Sequence, residues 1–258
     1  MLFIMKRVHL FAILCFVGVV AHQILSITVV SSLSGNVVTK NGMLKYNKLD
    51  GKLRTAHQKS ENVLPQNWRK YYSRNIQLTF RQISEIMSKH TNTTRFLVFG
   101  AGHDSKMWAS GINIYGQTTF IENIQTWIDE ITSNYPDLDI RFVDYKCNMR
   151  DAFRVFFGQP NKLMESFPSF LNNTSWDVIL VDSPMGGGGT DNPGRMKSIF
   201  WASQLITQNG HIFVHDISRD IENRFSKRYL EQKLGRLRIV IGDLAYFAPA
   251  NGTQLKPF

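Results

Sequence analysis

RFLVFGAGHDS, Arg95 to Ser105, joins a short apolar, β-rich run to a turn built on Gly100 and Gly102. A run without polar alternation reads as a strand buried on both faces, and glycine lets the backbone turn sharply where the strand ends. The same pattern recurs along the chain. TTFI, Thr118 to Ile121, ends at Glu122; Ile140 to Val143 ends at Asp144; DVILV, Asp177 to Val181, ends at Asp182; and HIFV, His211 to Val214, ends at His215-Asp216. Helical spacing lies between these runs. Ile76, Phe80, Ile83 and Met87 form a stripe within Arg74 to Lys89, Ile124, Trp127, Ile128 and Ile131 form another, and a helix is predicted around Ile221 to Leu234. Short strands separated by helices predict an α/β fold, a doubly wound, Rossmann-like parallel sheet. Further β-rich pieces lie near Leu237 to Ile241 and Ala245 to Ala248.

The chain has 258 residues, 43% of them hydrophobic and 12% aromatic, which is enough for one large packed domain and excludes disorder as the main state. Its two cysteines, Cys15 and Cys147, cannot build a disulfide framework or a cysteine-rich zinc site. The net charge of +10 is concentrated at one end: residues 1–74 hold eleven cations against two carboxylates, and residues 75–258 hold nineteen against eighteen. A nearly neutral globular part behind a basic leader does not describe a nucleic-acid groove. Lys6-Arg7 precede the predominantly apolar run Val8 to Val30, long enough to cross a bilayer with the flanking cations on the cytoplasmic side. Residues 1–30 are therefore expected to form a cytoplasmic tip and signal anchor, residues 31–66 a flexible stem, and residues 67–258 the globular domain. The competing reading of the leader is a cleaved signal peptide, with core Leu10 to Ala21 and a small-residue site at Val19-Val20-Ala21. Both readings send the chain into the secretory pathway. Sequons at Asn92, Asn172, Asn173 and Asn251 are compatible with that compartment.

In doubly wound sheets, ligands bind beyond the carboxyl ends of the strands, at the switch point of the strand order. That rule selects Gly100 and Gly102 after the first strand and Glu122 after the second as cofactor-side candidates, with Asp144 after the third beside them. Glu122, at the end of the second strand, can accept the hydroxyls of an adenosine ribose. A dinucleotide site normally carries a third glycine opening a helix under the pyrophosphate, yet this loop continues His103-Asp104-Ser105. An acidic loop is unfavourable for two phosphates and suits S-adenosylmethionine, which has no phosphate and bears an amino-acid cation. The plainer reading of Asp104 or Ser105 is a cap on the following helix.

GAGHDSKMW (Gly100 to Trp108), TTFIE (Thr118 to Glu122), VDSP (Val181 to Pro184), PGRM (Pro193 to Met196) and VHDISRDIE (Val214 to Glu222) together resemble the plant polysaccharide-biosynthesis family of glucuronoxylan 4-O-methyltransferases, in order from about Asn67 to Leu237. The resemblance implies a single-pass type II Golgi membrane protein with a lumenal catalytic domain. Its activity would be transfer of a methyl group from S-adenosylmethionine to the 4-hydroxyl of glucuronic acid residues on a polysaccharide. It places Gly100, Gly102, His103, Asp104 and Glu122 on the cofactor side and Asp182, His215 and Asp216 toward the acceptor. Three places depart from the family pattern: Asn123, where a second acid often follows the strand, Ser183, where alanine is usual, and Gly186 to Gly189, where an aromatic is common.

Methyl transfer to a sugar hydroxyl needs alignment of methyl and oxygen and removal of a proton from a weakly acidic alcohol. His215 has the ordinary pKa of a base near neutrality. The alternative is that Asp182, His215 and Asp216 hold a divalent cation that acidifies the hydroxyl, and the plainer reading of His215-Asp216 is a strand-end cap. Arg195 is the substrate-side candidate, a guanidinium able to grip a uronate carboxylate by two parallel hydrogen bonds, or else a surface bridge. Gly186 to Gly189 reads as a lid or as a plain surface loop. Trp108, Trp127, Trp176 and Trp201 are expected as core or helix-packing residues rather than sugar platforms. Two rival functions stand beside the methyltransferase: a non-catalytic lumenal protein of the same fold, and a dinucleotide-dependent oxidoreductase, which the loop composition disfavours.

Overall fold

The computed structural model describes residues 68–157 and 159–249. The expected anchor and stem and the Asn251 sequon lie outside the described residues. Among the described residues no helix is long and apolar enough to cross a membrane.

Seven strands form one sheet in the order β3-β2-β1-β4-β5-β7-β6. These are β1 (Arg95–Phe99), β2 (Gln117–Glu122), β3 (Asp139–Phe142), β4 (Trp176–Val181), β5 (Ile206–His215), β6 (Leu237–Ile241) and β7 (Leu244–Ala248). The first five are mutually parallel. The helices are α1 (Phe80–Met87), α2 (Gln125–Asn134), α3 (Ala152–Phe157), α4 (Met196–Leu205) and α5 (Asp220–Ser226). The order reverses between β1 and β4, which is the switch point. Register aligns the strand ends there: Phe99 is level with Ile121, Phe99 with Val181, and Val181 with Val214. Gly100, Glu122, Asp182 and His215 therefore emerge at one edge of the sheet.

Side chains alternate between two faces, and both faces are covered. Leu97, Phe99, Ile179, Val181, Ile212 and Val214 pack with Met196, Trp201 and Phe225 on one side. Phe96, Val98, Val178, Leu180 and Phe213 pack with Ile83, Ile86, Met87 and Trp108 on the other.

The structure sharpens the sequence-based boundaries and alters some. Arg74 to Lys89 is helical only over α1, because Thr79 caps it: the Thr79 hydroxyl accepts the Gln82 N–H, and the Gln82 side chain accepts the Thr79 N–H at 2.7 Å. Such a reciprocal cap stabilises a helix start by about 1 kcal/mol. The helix expected from Ile221 to Leu234 divides into α5 and a wider π-type stretch, Lys227–Lys233. The last two strands are not parallel crossovers: β7 pairs antiparallel with both β5 and β6, turned by Gly242 at φ 62°.

Candidate active site

A cavity of about 660 Å³ opens at the carboxyl ends of the parallel strands, across the β1/β4 switch point. This is the size range of small-molecule and cofactor sites. One wall is the turn after β1 with Glu122, Asn123, Ile124 and Trp127; the facing wall carries Asp182, Ser183, Met185, Gly187, Gly188, Arg195, Asp216 and Arg219. Asn75, Ile76, Gln77 and Leu78 close a third side. That N-terminal lip was missed in the sequence, where only Ile76 belonged to a stripe and was assigned to the core.

On the first wall, Gly100 has φ +121°, and a Cβ there would lie 3.0 Å from Ser183 Cβ. Only glycine fits that conformation against β4 without strain. Glu122 is buried and receives backbone N–H groups on both oxygens: Oε1 accepts Asn123 at 2.7 Å and Ile124 at 3.1 Å, and Oε2 accepts Ala101 at 3.2 Å. Burial pushes its pKa up, and the three N–H groups pull against that shift. Oε1 is used fully, so Oε2 has the lone pair left for a ligand hydroxyl. Asp104 Oδ2 accepts the Trp108 indole N–H at 2.7 Å, while its Oδ1 points toward Gly102. Burial, with the charge of Asp182 adding, pushes the Asp104 carboxyl up to about 6. His103 is exposed at the rim, its ring edge-on to Trp127, whose indole N–H donates to Ala101 O at 2.6 Å. Trp127 lines the cavity and packs, partly buried, against the core, while Trp108, Trp176 and Trp201 are buried as expected. Asp144 does not join the site: it is exposed, is not among the lining residues, and accepts the Lys146 N–H in its own turn. The strand it follows ends at Phe142, so Asp144 lies in the turn beyond the sheet.

On the facing wall, Asp182 Oδ1 lies 2.9 Å from His215 Nδ1 and 3.2 Å from Arg195 Nη2. Asp216, in the left-handed region at φ 56°, aims Oδ2 at Arg195 Nη2, 2.7 Å away, and at Arg219 Nη1, 2.8 Å away. A non-glycine residue held at positive φ stores strain that its surroundings must support, here through the two guanidinium contacts. His215 is buried and is not among the lining residues, so it stands behind Asp182. Burial opposes its charge, but the hydrogen bond and charge of Asp182, with Asp216 adding, leave its pKa above the ordinary value.

Arg195 corrects the sequence reading most clearly. Its side chain is 5% exposed, Nη1 donates to His215 O at 2.7 Å, Nε donates to Pro184 O at 3.4 Å, and Nη2 serves both carboxylates. No two parallel N–H groups remain for a uronate. The same geometry bears on a metal. The ligand atoms of Asp182, His215 and Asp216 lie within 4.8 Å of one another, as a cation site would require. Yet the Arg195 guanidinium already bridges the two carboxylates, and His215 Nδ1 is engaged by Asp182. These residues do not fit a divalent ion without displacing Arg195.

Gly186 to Gly189 borders the cavity through Gly187 and Gly188, with Gly188 and Gly189 at positive φ. Cys147 remains a free thiol with its pKa pushed up to about 11 by burial, which suits packing and not nucleophilic chemistry.

A parallel sheet ending in an antiparallel hairpin, with a glycine turn and a carboxylate at the switch point, defines a Rossmann-like α/β protein of the methyltransferase fold. Residues 78–239 match the model of the IRX15/IRX15L/GXM family, and the chain belongs to that family. Among curated relatives, glucuronoxylan 4-O-methyltransferase 2 of Arabidopsis thaliana is 35% identical over 63% of this chain and 64% of its own length. Arabinogalactan O-methyltransferase 2 of the same organism is 33% identical over 61% of this chain and 62% of its own length. The chain thus spans less than two thirds of both relatives. The O-methyltransferase TomG of Streptomyces achromogenes, solved with S-adenosylmethionine, superposes with a TM-score of 0.43 at 13% identity, covering 86% of this chain and 96% of that one.

Proposed function

We propose that this protein is an S-adenosylmethionine-dependent O-methyltransferase that methylates the 4-hydroxyl of glucuronic acid residues on a xylan-like polysaccharide. The observation that carries this reading is Asp182. Its Oδ1 is fixed by His215 and Arg195, and the carboxylate lines the same cavity whose other wall presents Gly100 and Glu122. A cofactor-type wall and an anchored base thus share one chamber. Family membership and the relative named for this reaction support it.

The residues present fit the cofactor. Glu122 Oε2 has a lone pair for a ribose hydroxyl, Gly100 and Gly102 keep the turn free of side chains, and Asp104 faces the cavity as an acid matched to an ammonium group. An acid at Asp104 disfavours a pyrophosphate, which argues against the dinucleotide oxidoreductase. S-adenosylmethionine, when bound, supplies a methyl carbon activated by a positively charged sulfur.

The protein's part is positioning and proton transfer. His215 and Arg195 both engage Asp182 Oδ1, leaving Oδ2 to take the proton of the sugar hydroxyl and so ready its oxygen for methylation. His215 orients Asp182 and stabilises its charged form. Positioning contributes up to about 7–11 kcal/mol in favourable cases, and an aligned base roughly 10²–10⁴ in rate. Arg195 supplies locally the positive charge that a divalent ion would otherwise bring.

A single-pass type II Golgi placement with a lumenal domain is part of the proposal. It is supported by Lys6-Arg7 ahead of Val8 to Val30 and by the exposure of Asn92, Asn172 and Asn173. Protease protection of intact microsomes with N-terminal sequencing tests it; a mature chain starting near His22 replaces the anchor by a signal peptide. The chemistry is tested by titrating the full chain with S-adenosylmethionine and with NAD in parallel. Saturable binding of the first alone is the expected result, and binding of NAD alone contradicts the proposal.

A further inference from the structure

The cavity has a second guanidinium that Arg195's burial leaves as the candidate for reading an anionic acceptor. Arg219 lines the cavity and its side chain is 38% exposed. It spends Nη1 on Asp216 at 2.8 Å, and among the described residues no acceptor faces its Nε or Nη2. These atoms lie along the glycine loop: a Cβ on Gly187 would sit 3.5 Å from Nη2, 3.6 Å from Cζ and 3.9 Å from Nε. A side chain at Gly187 would therefore stand against that edge of the guanidinium. An Nε/Nη2 edge is the planar, two-donor geometry that matches a carboxylate.

Further charges surround the cluster. Asp182 and Asp216 face Arg195 and Arg219, two acids against two guanidinium groups. The third nearby acid, Glu222, is fully buried under Gly186 with neither oxygen hydrogen-bonded among the described residues; burial pushes its pKa up, while the charges of Arg195 and Arg219 pull against that shift.

We infer that Arg219, not Arg195, is the specificity-determining residue that binds the carboxylate of the uronate acceptor and so presents oxygen 4. This rests on the methyltransferase reading above. In a glucuronic acid ring the carboxyl group is borne by carbon 5, next to carbon 4. A carboxylate held at Arg219 therefore carries the neighbouring hydroxyl toward Asp182, since Asp216, bonded to Arg219, and Asp182 both contact Arg195 Nη2.

The test compares wild type, Arg219→Gln and Arg219→Lys in the full chain, with glucuronate-bearing xylo-oligosaccharides and their carboxyl-reduced twins as acceptors. Arg219→Gln should raise the KM for the acidic acceptor by about tenfold or more, the effect of losing charge-assisted hydrogen bonds. The preference for acidic over reduced acceptor should collapse, with Arg219→Lys intermediate and S-adenosylmethionine affinity preserved in both. An equal change for both acceptors would mean that Arg219 only supports Asp216, and retention of the full acidic preference would remove it from recognition; either result overturns the inference while the methyltransferase reading stands. A wild-type chain that binds S-adenosylmethionine but labels neither acceptor refutes both together.

Discussion

Arg195 Nη2 lies 2.7 Å from Asp216 Oδ2 in a site where the arginine is almost completely removed from solvent. A buried pair of this kind is costly to break from one side, because the remaining carboxylate keeps its burial and loses its partner. Arg195→Met should therefore destabilise the fold by about 3–5 kcal/mol, read as a lower urea midpoint at unchanged slope. A variant of wild-type stability would show that Asp182 and Asp216 do not depend on it.

The same bridge predicts insensitivity to chelators. Because a guanidinium already spans the two carboxylates, methyl transfer by wild type should proceed at the same rate in EDTA as in added magnesium. Loss of activity in EDTA, restored by a divalent ion, would mean that Arg195 swings away and the acids bind metal.

His215 supplies a pH readout. Its pKa is raised in the folded chain, so the stabilisation it gives is full below the unfolded value of about 6.5 and is lost as pH rises through the folded pKa. NMR titration of the ring should show a midpoint above 6.5 in wild type and a lower one in Asp182→Asn, where the hydrogen-bonded charge is gone. Asp182→Asn should also retain S-adenosylmethionine binding while losing about 10²–10⁴ in turnover. Normal turnover in that variant would exclude Asp182 as the base.

On the facing wall, Glu122→Ala should weaken S-adenosylmethionine binding by about tenfold or more, the loss of one charge-assisted hydrogen bond. Affinity should also fall as pH drops below about 6, where Asp104 becomes protonated and no longer attracts an ammonium group. Asp104→Asn should flatten that dependence. Calorimetry across pH 5 to 8 checks both, and a pH-independent affinity in wild type would place the ammonium elsewhere.

The sheet was legible in the sequence because each central strand is an apolar run ending in a chemically distinct residue: Gly100, Glu122, Asp182 or His215. Strand ends at a switch point are where function collects, so the fold rule and the conspicuous residues selected one another. The missing parts depend on distance in space. Nothing in PGRM tells that Arg195 turns inward between two strand ends, or that Asp144 sits exposed in a turn after a strand that stops at Phe142. The N-terminal lip, Asn75 to Leu78, has no periodicity of its own, and it reaches the cavity through packing remote in sequence. One signal was present and unread: Thr79 with Gln82 is a capping box that marks the start of α1. Trp127 packs against the core from an amphipathic helix, and its indole is also tied to Ala101 O on the cavity rim.

The central claim is that one chamber brings a sulfonium methyl donor and a glucuronate hydroxyl together at Asp182. Its most direct test offers the full chain methyl-labelled S-adenosylmethionine with glucuronate-bearing xylan and, separately, glucuronate-bearing arabinogalactan, followed by linkage analysis of the labelled sugar. Label is expected on xylan, carried as 4-O-methyl glucuronic acid and absent in Asp182→Asn. Label confined to arabinogalactan would contradict the acceptor, and label at another oxygen, or undiminished in Asp182→Asn, would contradict the site.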